Sequence, residues 1–251
     1  MVFAVRKKRR QDSSTVAYER DENSQFELAM DTKLEMNMDE EYNQLIGHHP
    51  NIVNIIGFRR VGLCWEQFVE YIDGENFYNY MDALYFKTNR LIEGDKARSF
   101  FTNLMNAVEH IHSLKLAHMD IKLEHCLITR NGILKLSNFA EARIFVPNLK
   151  FAFPEYFTKA YAAPETLKKK YRPDVADIWA CGIFLYVMLK KCFPWDIARK
   201  NEDRNYRRWV KNDDKIAFLS IPGCYGCVSG RFLLNKKLIF LTKVVGAVLT
   251  R

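Results

Sequence analysis

The chain has 251 residues, of which 48% are hydrophobic and 27% charged, and a formal net charge of +8. That composition excludes a disordered chain and a collagen-like repeat, and the length suits one large domain or two small lobes with an ample core. The charge is uneven. Residues 1–10 carry Arg6, Lys7, Lys8, Arg9 and Arg10, and residues 215–251 hold six Lys and Arg and no acid. The +5 and +6 of these ends leave −3 for residues 11–214, so the excess is not one basic face and nucleic-acid binding is not expected.

Residues 11–38 are rich in Ser, Asp, Glu and Asn and read as a surface loop. Residues 39–46 read as the end of a short helix, stopped by Gly47 and Pro50. Residues 52–58 and 64–72 are rich in Ile, Val, Phe and Trp and read as strands, with a turn at Gly74. From Asp95, a plausible N-cap, the period becomes helical: Ala97, Phe100, Phe101, Leu104, Met105, Val108 and Ile111 share a stripe. Residues 117–128 and 133–136 are short apolar pieces around polar loops, and 177–189, apolar nearly all round, predicts a buried helix. Strands first and helices afterwards predict an α+β arrangement of two lobes with a cleft between them.

The six cysteines, Cys64, Cys126, Cys181, Cys192, Cys224 and Cys227, are scattered, and no apolar segment follows the basic N-terminus. A reducing compartment, cytoplasm and/or nucleus, is the expectation. The single CxxC at Cys224 and Cys227 is a weak zinc or redox signal. Residues 238–249 are too short to span a bilayer and contain Lys243, so no membrane span is expected.

Residues 118–125 (HMDIKLEH) hold a carboxylate, an ammonium and imidazoles within one loop. A carboxylate fixed in a turn can orient and deprotonate a hydroxyl, and a lysine two residues on can neutralise a transferred phosphoryl group. Eighteen residues after Asp120 comes Asn138-Phe139-Ala140, later Ala163-Pro164-Glu165, and then Asp177-Ile178-Trp179-Ala180-Cys181-Gly182.

Over roughly residues 40–213 this order and spacing resembles the protein-kinase superfamily. Residues 118–127 resemble its catalytic loop, Asn138-Phe139-Ala140 its D-F-G, and Ala163-Pro164-Glu165 its A-P-E box. His49-Pro50-Asn51-Ile52-Val53 resembles the approach to the fourth strand, and Val69-Glu70-Tyr71 the hinge. Residues 68–77, 134–145 and 161–196 are most similar to serine/threonine kinases of the DNA-damage checkpoint type. The resemblance implies a two-lobed α+β kinase-like fold: a truncated strand-rich N-lobe (1–72, with an insertion at 11–38), a helical C-lobe (73–213) and an atypical basic tail (214–251). That tail either covers part of the core or is an aberrant translated end.

The resemblance also implies ATP, Mg²⁺ and a protein substrate or partner. Asp120 would accept the proton of the substrate hydroxyl, Lys122 would lie near the γ-phosphate, and Thr158 would organise the catalytic loop. Glu70 and Ile72 would offer backbone groups to adenine, and Leu127 would pack beneath it. Asp177 would anchor the catalytic loop, and Glu165 would pair with an arginine in a region where the likeness has faded.

Several positions depart from the pattern. Asn138 stands for the metal-binding aspartate and His125 for the catalytic-loop asparagine. A neutral amide is a poor Mg²⁺ ligand, and imidazole suits zinc. No glycine precedes Gly47, so the phosphate-covering Gly-rich loop is missing. Phe3-Ala4-Val5-Arg6 resembles V-A-I-K with Arg for Lys, and Glu40, 34 positions on, is the best match for its acidic partner. A competing match, Leu28-Ala29-Met30-Asp31, puts an acid at the lysine position and lies too close to Glu40. Met119 replaces the arginine that would grip a phosphorylated activation loop, so control by such phosphorylation is not expected. Phosphotransfer is therefore expected to be weak or absent, with protein binding as the remaining role. A divergent active kinase is the alternative, and nucleic-acid binding through the basic ends is a lesser one.

Overall fold

The computed structural model describes residues 2–6, 42, 44–61, 64–88, 92–150, 158–167 and 170–211. The insertion at 11–38, Glu40, the Cys224/Cys227 pair and the tail lie outside the described residues. β-branched and aromatic residues are frequent in the strands of the first sheet. Strands β1 (Val2–Arg6), β2 (Ile55–Val61) and β3 (Cys64–Glu70) are antiparallel in the order β1-β3-β2. Phe3 and Ile55 both stand opposite Val69, and Arg6 stands opposite Glu66.

A short strand β4 (Gly74–Asn76) leads into helix α1 (Phe77–Thr88), and helix α2 (Gly94–Ser113) follows. After β5 (Leu116–Ala117), a 3-10 turn (Leu123–His125) and the hairpin β6 (Cys126–Thr129) and β7 (Leu134–Leu136), the order of the second sheet is β4-β6-β7. Strand β8 (Arg143–Ile144) returns to pair with β5. A second 3-10 turn (Pro164–Leu167), helix α3 (Pro173–Lys190) and helix α4 (Arg204–Lys211) complete the described chain.

The whole predicted stripe of α2 is buried, and α3, apolar on every side, runs through the core beside it. Phe77 of α1 packs against Phe184 of α3, ring centroids 5.0 Å apart. Behind α3, Trp179, Trp195, Tyr206 and Trp209 form one aromatic cluster. Asp203 ties α4 into it: one carboxylate oxygen caps the helix at the Tyr206 N–H (2.8 Å) and the other accepts from the Asp196 N–H (2.9 Å). Among the described residues no helix is long and apolar enough to cross a membrane.

Three expectations change. The helix predicted from Asp95 begins at Gly94, because the Ala97 N–H already donates to the Glu93 carbonyl (2.8 Å); Asp95 lies in the first turn and pairs with Arg98 (3.5 Å). The strand expected at 52–58 starts at Ile55, because Asn51 and Val53 are bound instead to Leu136 of β7. Gly74 belongs to β4 rather than a turn, opposite Thr129.

A Cβ on Gly74 would lie 1.7 Å from the Ile128 carbonyl oxygen, a backbone atom that cannot step aside. Gly74→Ala is expected to separate β4 from β6 and cost about 3 kcal/mol or more. Urea unfolding of the variant beside the parent measures this, and a loss under about 0.5 kcal/mol would contradict it.

Candidate active site

The loop between β5 and β6 is shaped from beneath by one carboxylate. Asp177 of α3 is only 2% exposed. Its Oδ2 accepts from the His118 N–H (2.7 Å) and from His112 Nε2 (2.9 Å), and its Oδ1 accepts from the Met119 N–H (2.8 Å). These bonds hold Met119 in the left-handed region at φ 70°, a conformation that costs a non-glycine residue of order 1 kcal/mol.

His118 is fully buried, and its Nε2–H donates to the Ser137 carbonyl (2.9 Å). That leaves Nδ1 bare to accept the Asp120 N–H (3.3 Å). Burial pushes its pKa down, beyond what Asp177 restores, so the ring is neutral. Phe139 packs edge-on against it, ring centroids 4.9 Å apart.

Asp120 carries the most concentrated polar contacts. Its Oδ2 accepts from Lys122 Nζ (2.8 Å), its Oδ1 from the Thr158 hydroxyl (2.9 Å), and Lys122 Nζ also reaches Thr158 Oγ1 (3.3 Å). Burial opposes the carboxylate, yet the His125 ring and the Lys122 ammonium outweigh it and hold its pKa below the usual range. The result is an ionised acceptor beside an ammonium and a hydroxyl, at the edge of a groove also lined by Met119, Ile121, Ala162 and Ala163.

His125 Nδ1 lies 2.9 Å from the Asp120 carbonyl oxygen and 3.3 Å from its carboxylate. Both are acceptors, so Nδ1 carries the hydrogen and Nε2 is bare. The bare nitrogen accepts from Asn138 Nδ2 at 2.7 Å. Burial, only partly offset by Asp120, pushes the His125 pKa down to about 4. Asn138 sits at φ 63°, a region asparagine tolerates, and its Oδ1 is buried without a hydrogen-bond partner.

Mg²⁺ prefers near-octahedral oxygen ligands. Here the donor set is an imidazole nitrogen already bonded to an amide, and the amide itself. Neither residue supplies a carboxylate, and the one side-chain oxygen between them is the unpartnered Asn138 Oδ1. Among the described residues, no cluster of three or more His, Cys, Asp or Glu has a geometry that holds a metal.

The structure thus brings Asp120, Lys122, His125, Asn138 and Thr158 together. At the end of β3, Glu70 Oε1 accepts from the Asn54 N–H (2.8 Å) and from Lys135 Nζ (2.6 Å). Lys135 stands opposite Leu127 across the β6–β7 hairpin, and Leu127 stands opposite Asn76 of β4. The Ile72 carbonyl accepts from the Gly74 N–H (2.9 Å). Only the backbone of Arg6 is described, and Glu40 lies outside the described residues. Glu165 makes no ion pair among the described residues. Sequence reasoning passed over His112, Ser137 and Lys135. Lys135 did carry a signal, as the one polar residue of the alternating Leu-Lys-Leu strand.

Both buried rings favour folding only while neutral. Their folded pKa values lie below the unfolded value, so this contribution is complete above about pH 6.5 and lost as pH falls, for His125 through about 4. The free energy of urea unfolding is expected to fall from about pH 7 to about pH 4 and to fall less in His125→Asn. Parallel profiles for the two proteins would contradict the neutral ring.

Comparison with known proteins follows the same lines. A sequence model described as "Protein kinase domain" matches residues 2–220. The chain is similar to "Probable serine/threonine-protein kinase RTK1" of Saccharomyces cerevisiae, 32% identical over 67% of this chain and 27% of that protein. It is 39% identical to "CBL-interacting serine/threonine-protein kinase 5" of Arabidopsis thaliana over 47% of this chain and 27% of that protein. It is 32% identical to "Serine/threonine-protein kinase SRK2I" of the same plant over 71% of this chain and 49% of that protein. The chain therefore spans about a quarter to a half of the length of these relatives. With its strand-rich first part, its helical second part and a matching family model over most of its length, the chain belongs to the protein kinase domain family.

Proposed function

We propose that this chain is a serine/threonine-kinase-like domain that binds ATP but transfers its phosphoryl group weakly or not at all, and that acts by binding a protein partner. The observation that carries this reading is the 2.7 Å hydrogen bond between Asn138 and His125, which joins both family metal positions to each other. Family members depend on metal for most of their stabilisation of the transferring phosphoryl charge. Several kcal/mol of lost transition-state stabilisation, at about 1.4 kcal/mol per tenfold in rate, suffices to silence the reaction.

In this reading the backbone at Glu70 and Ile72 receives the adenine, with Leu127 beneath it. Arg6 stands in for the third-strand lysine, with Glu40 as its acidic partner. The checkpoint-type subfamily rests on the likeness of residues 68–77, 134–145 and 161–196 alone. A divergent but active kinase is the second reading, and the intact cluster of Asp120, Lys122 and Thr158 favours it. There Asp120 takes the proton of a serine or threonine hydroxyl as its oxygen bonds to the γ-phosphorus and the bond from that phosphorus to the bridging oxygen of ADP breaks, so that ADP leaves; Lys122 offsets charge on the phosphoryl oxygens, and Thr158 holds Asp120 in place.

A ligand that binds only the folded state raises the melting temperature by mass action. Millimolar ATP is expected to raise it equally with and without Mg²⁺. No shift would remove nucleotide binding, and a shift that needs Mg²⁺ would favour the active kinase. Asn138→Asp with His125→Asn is expected to make the shift Mg²⁺-dependent; a double variant that still ignores Mg²⁺ would place the defect in the strand lobe.

A further inference from the structure

Ahead of β2, the chain crosses both α2 and β7. The His49 ring stacks on His110 of α2, with centroids 4.7 Å apart and planes 21° from parallel. His110 Nε2 lies 2.7 Å from the Ile46 carbonyl, an acceptor, so it donates. His49 Nδ1 accepts from the Asn51 N–H at 3.1 Å, so that nitrogen must be bare. Asn51 is buried and clamped to β7: its Nδ2 donates to the Leu134 carbonyl (3.1 Å) and its carbonyl accepts from the Leu136 N–H (2.8 Å). The Val53 N–H then donates to the Leu136 carbonyl (2.8 Å). The bare imidazole nitrogen thus shares with the His49 carbonyl, which accepts from the Ile52 N–H (3.1 Å), the holding of the turn from which the strand sheet joins the helical half.

We propose that His49 and His110 form a pH-sensitive joint between the strand sheet and the helical half, in which protonation of His49 removes the acceptor for Asn51 and releases residues 51–53 from β7. The titratable and charged groups facing His49 are His110 from α2, His48 from its own segment and Lys135 from β7, whose ammonium is paired with Glu70 (2.6 Å). Burial first, and then these three groups, hold the His49 pKa below its ordinary value. The joint is therefore fully closed above about pH 6.5 and opens as pH falls below that. It uses none of the groups around Asp120 and stands whether or not the chain transfers phosphate.

Amide hydrogen exchange of the full chain, expressed as protection factors to remove the intrinsic pH effect, tests this at about pH 8 and about pH 5. Protection at 51–53 and 134–136 is expected to fall on acidification, by up to about tenfold per pH unit below the His49 pKa, while the centre of α3 keeps its own. In His49→Asn the side-chain carbonyl can still accept the N–H two residues on but does not titrate, so protection should stay level. His110→Gln keeps a donor for Ile46 and removes the stacked ring, so the midpoint should move up toward the ordinary histidine value. No loss in the parent chain, or equal loss in the parent and His49→Asn, would overturn the proposal. The parent also offers a check without substitution: the Asn51 amide NMR resonance must move with the titration of the His49 ring, and an unmoved resonance overturns the joint.

Discussion

One buried carboxylate sets the geometry on which the rest depends. Asp177 takes up the N–H groups of His118 and Met119 and thereby stabilises a left-handed residue in the loop between β5 and β6. A carboxylate that accepts from backbone N–H groups is among the stronger interactions a protein makes, and removing it would leave the buried His118 N–H and the half-buried Met119 N–H without this partner. With that loop held, His118 reaches Ser137, Phe139 packs on His118, and Asn138 comes within reach of His125. The charged cluster at Asp120 and the pairing of His125 with Asn138 both follow from how α3 seats Asp177 in the core.

What this arrangement offers chemically is divided. Asp120, Lys122 and Thr158 form a compact acceptor, cation and hydroxyl set suited to a phosphoacceptor hydroxyl. Further along, at 125 and 138, the positions that the family likeness assigns to metal are a histidine and an asparagine bonded to each other. The His125 ring is oriented by the Asp120 carbonyl, so the substitution is built into the loop rather than left at its edge. The orphaned Asn138 Oδ1 is the polar atom that this closure leaves unsatisfied.

Much of this was legible in the sequence, and the limits have physical causes. The α2 stripe and the apolar run of α3 were readable because burial imposes a period, or its absence, on a long helix. The substitutions at 125 and 138 were readable because the surrounding motifs keep their spacing. Helix α1 was not, because aromatic residues stand on both its faces: Phe77 is buried while Tyr78 and Phe86 are exposed, which blurs the period. The exposed aromatic face is partly covered by the Lys191 ammonium, 3.7 Å from the Tyr85 ring centroid, a contact between residues 106 positions apart. Gly74 read as a turn because its need for space comes from Ile128, on a strand joined to it only by folding. For the same reason the bond between His125 and Asn138, made by the β6–β7 hairpin, and the stacking of His49 on His110 leave no local trace in the chain.

The central claim is that the two metal positions are closed against each other. Paramagnetic relaxation with Mn²⁺ and ATP tests it most directly, by following the ring resonances of His125 and the side-chain amide of Asn138. The account predicts that neither is selectively broadened and that the Asn138 amide keeps its hydrogen-bonded shift. Selective broadening of both, with loss of that shift, would mean that the pair opens to take a metal and would contradict the account.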